Sequence, residues 1–171
     1  MNKLIITAII IFAGLTRLVP HPPNFTPIIA MGLFGGAYLK DRRIALIIPL
    51  LAMIAADMFL GFHGTMIWVY GSLLFITMMG MLLKNRTTLI NCTAATMGGS
   101  LLFFLLTNLG VWISSGFYPK SAAGLLTCYS MALPFFGNTL AGSVFYSAIM
   151  FFGYEWLKNI LPDALPDSIR K

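Results

Sequence analysis

Apolar residues run through this chain in long blocks rather than at helix or strand spacing, and short polar or Pro/Gly-bearing breaks separate the blocks. Ile44 to Ala56 contains no charged residue, and neither does Thr87 to Pro119. A stretch of about 18 or more apolar residues is the signature of a helix that crosses a bilayer. Six such helices can be drawn, at about 3–19, 24–39, 44–60, 65–83, 88–113 and 134–157. The pattern predicts an all-α fold: one domain over residues 1–171, built as a polytopic bundle of six transmembrane helices. The expected connections are Pro20–Pro23, Lys40–Arg43, Gly61–Gly64, Lys84–Arg86 and a long Ser114–Leu133, with a polar, proline-broken tail from Lys158 to Lys171.

Charge gives this bundle a direction. Lys3, Lys40, Arg42, Arg43, Lys84, Arg86, Lys158, Arg170 and Lys171 fall on one side of the six-span drawing, and only Arg17 and Lys120 on the other. Basic residues gather on the cytoplasmic side of membrane proteins, so nine against two sets both termini in the cytoplasm. The same clustering explains the net charge of +6 without nucleic acid as a partner. Only 9% of residues are charged and 58% are apolar, too few charges to clothe a water-facing surface. Met1 to Leu18 imitates a signal peptide, but no small-residue cleavage site follows and Arg17 interrupts the region, so it is read as a retained first span. Cys92 and Cys128 fall near opposite membrane faces, which argues against a disulfide between them.

The second span is unusual. Thr26-Pro27 resembles an N-cap followed by proline at the first helical position. Pro27 to Leu39 is 13 residues, about 20 Å of helix against a hydrocarbon core of roughly 30 Å. Pro20 to Thr26 is therefore expected to dip below the outer surface as extended chain, tolerated there only if protein buries it or a wet cavity meets it. The alternative is a short helix in a locally thinned bilayer. Gly32 and Gly36 form a GxxxG, and Ala52 and Ala56 also sit four apart, spacings that let helix backbones approach, inside the bundle or against a partner.

Polar residues are asymmetric in depth. Arg17, His21, Asn24, Asp57, His63, Asn108 and Asn138 all lie in the outer half of this topology, while the inner halves are almost purely apolar. Intramembrane polar groups face a bundle interior or a cavity. Trp68 opens span four, and Trp112 lies one turn from Asn108 on the same helix face. Asn138 and Tyr146 also share a face, with Gly142 leaving space between them. Together these residues predict an outward-facing small-molecule pocket. Each also has a plainer reading. Arg17 can snorkel to headgroups, Asp57 can serve only as its ion-pair partner, and His63 can be a loop residue. The tryptophans suit an aromatic belt, and the asparagines suit interhelical hydrogen bonds. No P-loop, GxSxG, HExxH or paired-carboxylate motif is present, so neither an enzyme nor a cofactor or metal site is expected. Apart from Glu155 near the inner end of span six, Asp57 is the one acid within a span.

The stretch Arg17-Leu-Val-Pro-His-Pro-Pro-Asn-Phe-Thr-Pro27, with Leu33-Phe34-Gly35-Gly36-Ala37, resembles a family of small bacterial membrane proteins known only by a general assignment to transport. The likeness continues through Ala56 to His63, Thr107 to Trp112, Tyr118-Pro119, Gly124-Leu125, Cys128-Tyr129 and Pro134 to Thr139. That pattern often has arginine at Gly137 and aspartate at Ser143, so any role of those charges does not carry over. In size, span number and outer pocket the family is similar to the substrate-binding S components of energy-coupling factor transporters. The resemblance implies a multi-pass protein of the bacterial cytoplasmic (inner) membrane that captures a small vitamin-like molecule. It also implies partners: a transmembrane coupling subunit and ATPase subunits. The expected site residues are Arg17, His21, Asn24, Asp57, His63, Trp68, Asn108, Trp112 and Asn138. Rival expectations are a stand-alone proton-coupled carrier using Asp57, and a structural or assembly protein without a ligand.

Overall fold

The computed structural model describes residues 2–160; the tail from 161 onward, with Arg170 and Lys171, lies outside the described residues. The described chain is all-helical. Six α-helices follow in order: α1 Asn2–Leu15, α2 Ile28–Tyr38, α3 Arg42–Leu60, α4 Met66–Leu82, α5 Leu89–Ser114 and α6 Ala122–Ile160. A single 3-10 turn, Thr16–Leu18, follows α1. The helices α3, α5 and α6 are long and apolar enough to cross a membrane, while α2 and α4 are apolar but shorter. Large apolar side chains such as Phe12, Phe59, Ile67, Leu82 and Ile90 stand exposed on the outside. An exterior of that kind suits lipid.

Local chemistry sets several helix ends. Asp41 caps α3 by accepting the Arg43 and Ile44 N–H groups at 2.8 and 3.2 Å, which holds its carboxyl below the ordinary value. Thr88 caps α5 through the Asn91 N–H. Gly61 ends α3 at φ 93°, a conformation that suits glycine. Thr26 does not cap α2, as its sequence position predicts. Pro27 occupies that place, and no side chain caps the helix.

One boundary differs widely from the sequence pattern. Helix α6 begins at Ala122, twelve residues before the expected 134. Gly124 and the nearby Pro119 read as loop residues. In the structure Gly124 instead lies directly against the Pro119 carbonyl, where a Cβ has no room. Ser121 starts the helix, its Oγ accepting the Gly124 N–H at 3.1 Å. Pro134 then sits inside α6, costing one backbone hydrogen bond that the helix tolerates.

Everything packs around α2. Each residue from Ile28 to Ala37 is buried. A helix apolar on all sides belongs in an interior, and α2 touches α1, α3, α4, α5 and α6. Its GxxxG faces α4. A Cβ at Gly36 would strike the Thr77 carbonyl, and one at Gly80 would strike Leu33 backbone. Gly35 lies against Pro49 of α3, and Gly14 of α1 against Ala52. At the opposite end of the molecule from Arg17, Tyr38 donates to Glu155 Oε1 at 2.6 Å, and Lys158 pairs with Glu155 while lying over the Tyr38 and Tyr154 rings.

Candidate functional site

The short length of α2 makes the site. Eleven residues give about 16 Å of helix. Ile29, in its first turn, meets Gly99 of α5. Beyond Gly99, α5 continues for 114 − 99 = 15 residues, roughly 22 Å. Space is therefore left above the α2 N-terminus, and residues 19–27 fold down into part of it. Phe25 packs on Phe145 and Tyr146 at 5.6 and 5.9 Å. The Phe25–Thr26 backbone lies on Gly142 so closely that a Cβ there would meet it at 2.9 Å. Asn138 Nδ2 donates to the Pro23 carbonyl at 3.0 Å. Asn24 turns the chain at φ 64°, a conformation asparagine tolerates better than most residues.

The rest of the space is a cavity of about 340 Å³. Arg17, Asn24, Thr26 and Ile28 line it from the first third of the chain, and His63, Thr65 and Val69 from the α3–α4 corner. Phe103, Phe104, Thr107, Asn108 and Val111 line it from α5, and Ala132, Phe135, Phe136 and Thr139 from α6. Four of the nine residues expected from sequence thus meet in one cavity: Arg17, Asn24, His63 and Asn108.

The other five take different places. Asp57 is 2% exposed and does not line the cavity. Its Oδ1 lies 2.8 Å from Arg17 Nη1, and Tyr70 donates its hydroxyl to Oδ2 at 2.8 Å. The ion pair is close but poorly aligned, for neither Nη1 nor Nε of Arg17 has a hydrogen-bond partner. Asp57 thus stands behind Arg17 and holds it. Asn138 holds the 19–27 segment rather than reaching the cavity, and the space expected beside Gly142 is filled by that segment's backbone. His21 is exposed, its ring bonded to the Val19 carbonyl at 2.7 Å. Trp68 packs on Gly110 and donates to Ser114 Oγ at 3.1 Å. Trp112 donates to the Pro119 carbonyl at 2.9 Å, beneath the Lys120 ammonium. Lys120 also caps the end of α5 through the Trp112 and Ile113 carbonyls.

Sequence reasoning missed the threonines, the paired phenylalanines 103–104 and 135–136, and Tyr70. The phenylalanine pairs carried a readable signal, since each lies within a turn or so of Asn108 or Asn138. Among the described residues no group of three or more His, Cys, Asp or Glu side chains is placed to hold a metal. Cys92 and Cys128 are both free and buried.

No curated protein and no solved structure matches the chain. A family model described as a family of unknown function, DUF6580, matches residues 1–164. With nearly the whole length matched, the chain belongs to the DUF6580 family.

Proposed function

We propose that this protein is a substrate-binding membrane transport subunit. It captures a small, vitamin-like molecule in the cavity above α2, from the outer side of the bacterial cytoplasmic membrane. Six helices cross the bilayer in this reading, with both termini in the cytoplasm. One observation carries it. Four polar side chains from three separate parts of the chain, Arg17 with Asn24, His63 and Asn108, converge on one cavity with a phenylalanine wall. A few placed polar groups on apolar walls are the usual make-up of a small-molecule site, and about 340 Å³ is within the range of such sites. The chain has no P-loop of its own, and in this reading a coupling subunit and ATPase partners supply the energy. Asp57 is engaged by both Arg17 and Tyr70, which favours a holding role over the proton relay of a stand-alone carrier.

The test is mass spectrometry of small molecules retained by the purified protein. One molecule should be enriched, and it should be lost from an Asn108→Leu, Phe104→Ala variant that remains folded. An empty folded protein that no extract fraction stabilises would leave the structural-protein reading standing instead.

A further inference from the structure

We propose that the cavity takes a monoanionic small molecule with a flat apolar body, its carboxylate or similar oxyanion set against Arg17. The inference rests on the ligand-binding reading above and names the class of ligand.

Charge is the first ground. Arg17 and His63 line the cavity, and among the described residues no aspartate or glutamate does. Asp57, the acid nearest Arg17, is turned away, with its side chain 3% exposed and shared with Tyr70. Hydrogen-bonding capacity is the second. A guanidinium carries five N–H donors. Asp57 faces Nη1, and both Nη1 and Nε are buried, so Nη2 is the nitrogen left for a ligand. A charge-assisted hydrogen bond from that nitrogen to an oxyanion is about twice as strong as one to a neutral acceptor. Backbone is the third. The α2 helix starts beneath the cavity with Pro27 and no side-chain cap, so its first-turn N–H groups and positive dipole end are unspent where Ile28 meets the cavity. His63 brings a ring nitrogen, since only its Nδ1 is engaged, with Thr65 Oγ1 at 2.9 Å.

The apolar half of the ligand follows from the opposite wall. Phe104 and Phe136 stack at 4.9 Å, tilted by 50°, and leave ring faces and edges for a flat group. A cation would meet the Arg17 guanidinium first, with Asp57 behind it and outside the cavity lining. A neutral ligand would offer the guanidinium only a neutral acceptor, the weaker partner.

Three probes that share a phenyl ring decide the matter: benzoate, benzamide and benzylammonium, each titrated against the purified full chain in lipid nanodiscs by ligand-observed NMR. Benzoate is expected to bind at least about tenfold more tightly than benzamide, with benzylammonium weakest. Phe104→Ala should weaken benzoate and benzamide together, which ties both to this cavity. The Arg17→Met, Asp57→Leu double variant should erase the preference for benzoate. If that variant does not fold, Arg17→Lys replaces it and should narrow the preference. Benzamide binding as tightly as benzoate, or a preference that survives loss of the guanidinium, overturns the anion class but leaves a binding cavity. Binding by none of the three overturns the ligand reading along with it.

Discussion

Arg17, Asp57 and Tyr70 form one unit from three elements, and their energetics are uneven. Taking one partner from a buried ion pair strands the other, at a cost of about 3–5 kcal/mol. Arg17→Met strands Asp57, whose side chain is 3% exposed and would keep only Tyr70. Asp57→Leu leaves Arg17 beside the cavity, where water can reach it, so its cost should be smaller. Thermal unfolding in detergent should rank Arg17→Met below Asp57→Leu, with the double variant recovering most of the loss, because apolar substitutes often match a buried pair. Tyr70→Phe removes one hydrogen bond and should cost on the order of 0.6 kcal/mol. A double variant less stable than either single one would mean that the three groups do not act as a unit.

At the scale of elements, α2 and α4 are joined backbone to backbone, and this makes glycine substitutions diverge. Gly36→Ala and Gly80→Ala each force a Cβ into the facing backbone and should destabilise by about 1–3 kcal/mol or more. Gly71→Ala, in the same α4 but facing open space, should be neutral or stabilising by up to about 1 kcal/mol. Unfolding of the three variants side by side checks this, and equal effects would contradict the close approach. Asp41 adds a pH dependence to α3. Its carboxyl is held below the ordinary value by the Arg43 and Ile44 N–H groups, so its stabilising contribution is complete above the unfolded-state value. That contribution fades as pH falls below the unfolded value and is lost once pH passes the lowered folded one. Asp41→Asn should keep the cap and remove this acid sensitivity, as amide exchange in the first turn of α3 would record. The number of helices was legible in the sequence because apolar blocks end at Lys-, Pro- and Gly-bearing breaks. The start of α6 was not, because Gly124 and Pro134 carry loop signals that packing against Pro119 and a sheltered helix override. The level of the polar residues was also legible, but their rotation was not. Trp112 shares a face with Asn108, yet lies one turn further out, where Pro119 and Lys120 fold over it.

For the whole molecule, the proposal depends on which side the cavity opens. The 39 residues of α6 make about 58 Å of helix, longer than the roughly 40–45 Å of a bilayer with its headgroups. If α6 crosses, one of its ends must stand in the headgroups or water beyond. Lys120, at the α5–α6 corner, is exposed, as are Arg42 at the start of α3 and Arg86 between α4 and α5. Native Cys92 and Cys128 are buried, so replacing both by alanine and adding one cysteine at a time gives a clean background. In intact cells a membrane-impermeant maleimide should label Lys120→Cys, and should label Arg42→Cys and Arg86→Cys only after permeabilisation. The nine-to-two basic asymmetry supports that outcome, since the cytoplasmic side holds the excess of lysine and arginine. Arg17 and His63, on the Lys120 side of this drawing, would then open outward and be able to meet a nutrient before any partner does. Labelling of Arg42→Cys and Arg86→Cys from outside, with Lys120→Cys protected, would invert the molecule. The cavity would then face the cytoplasm, and capture from outside could not be its task.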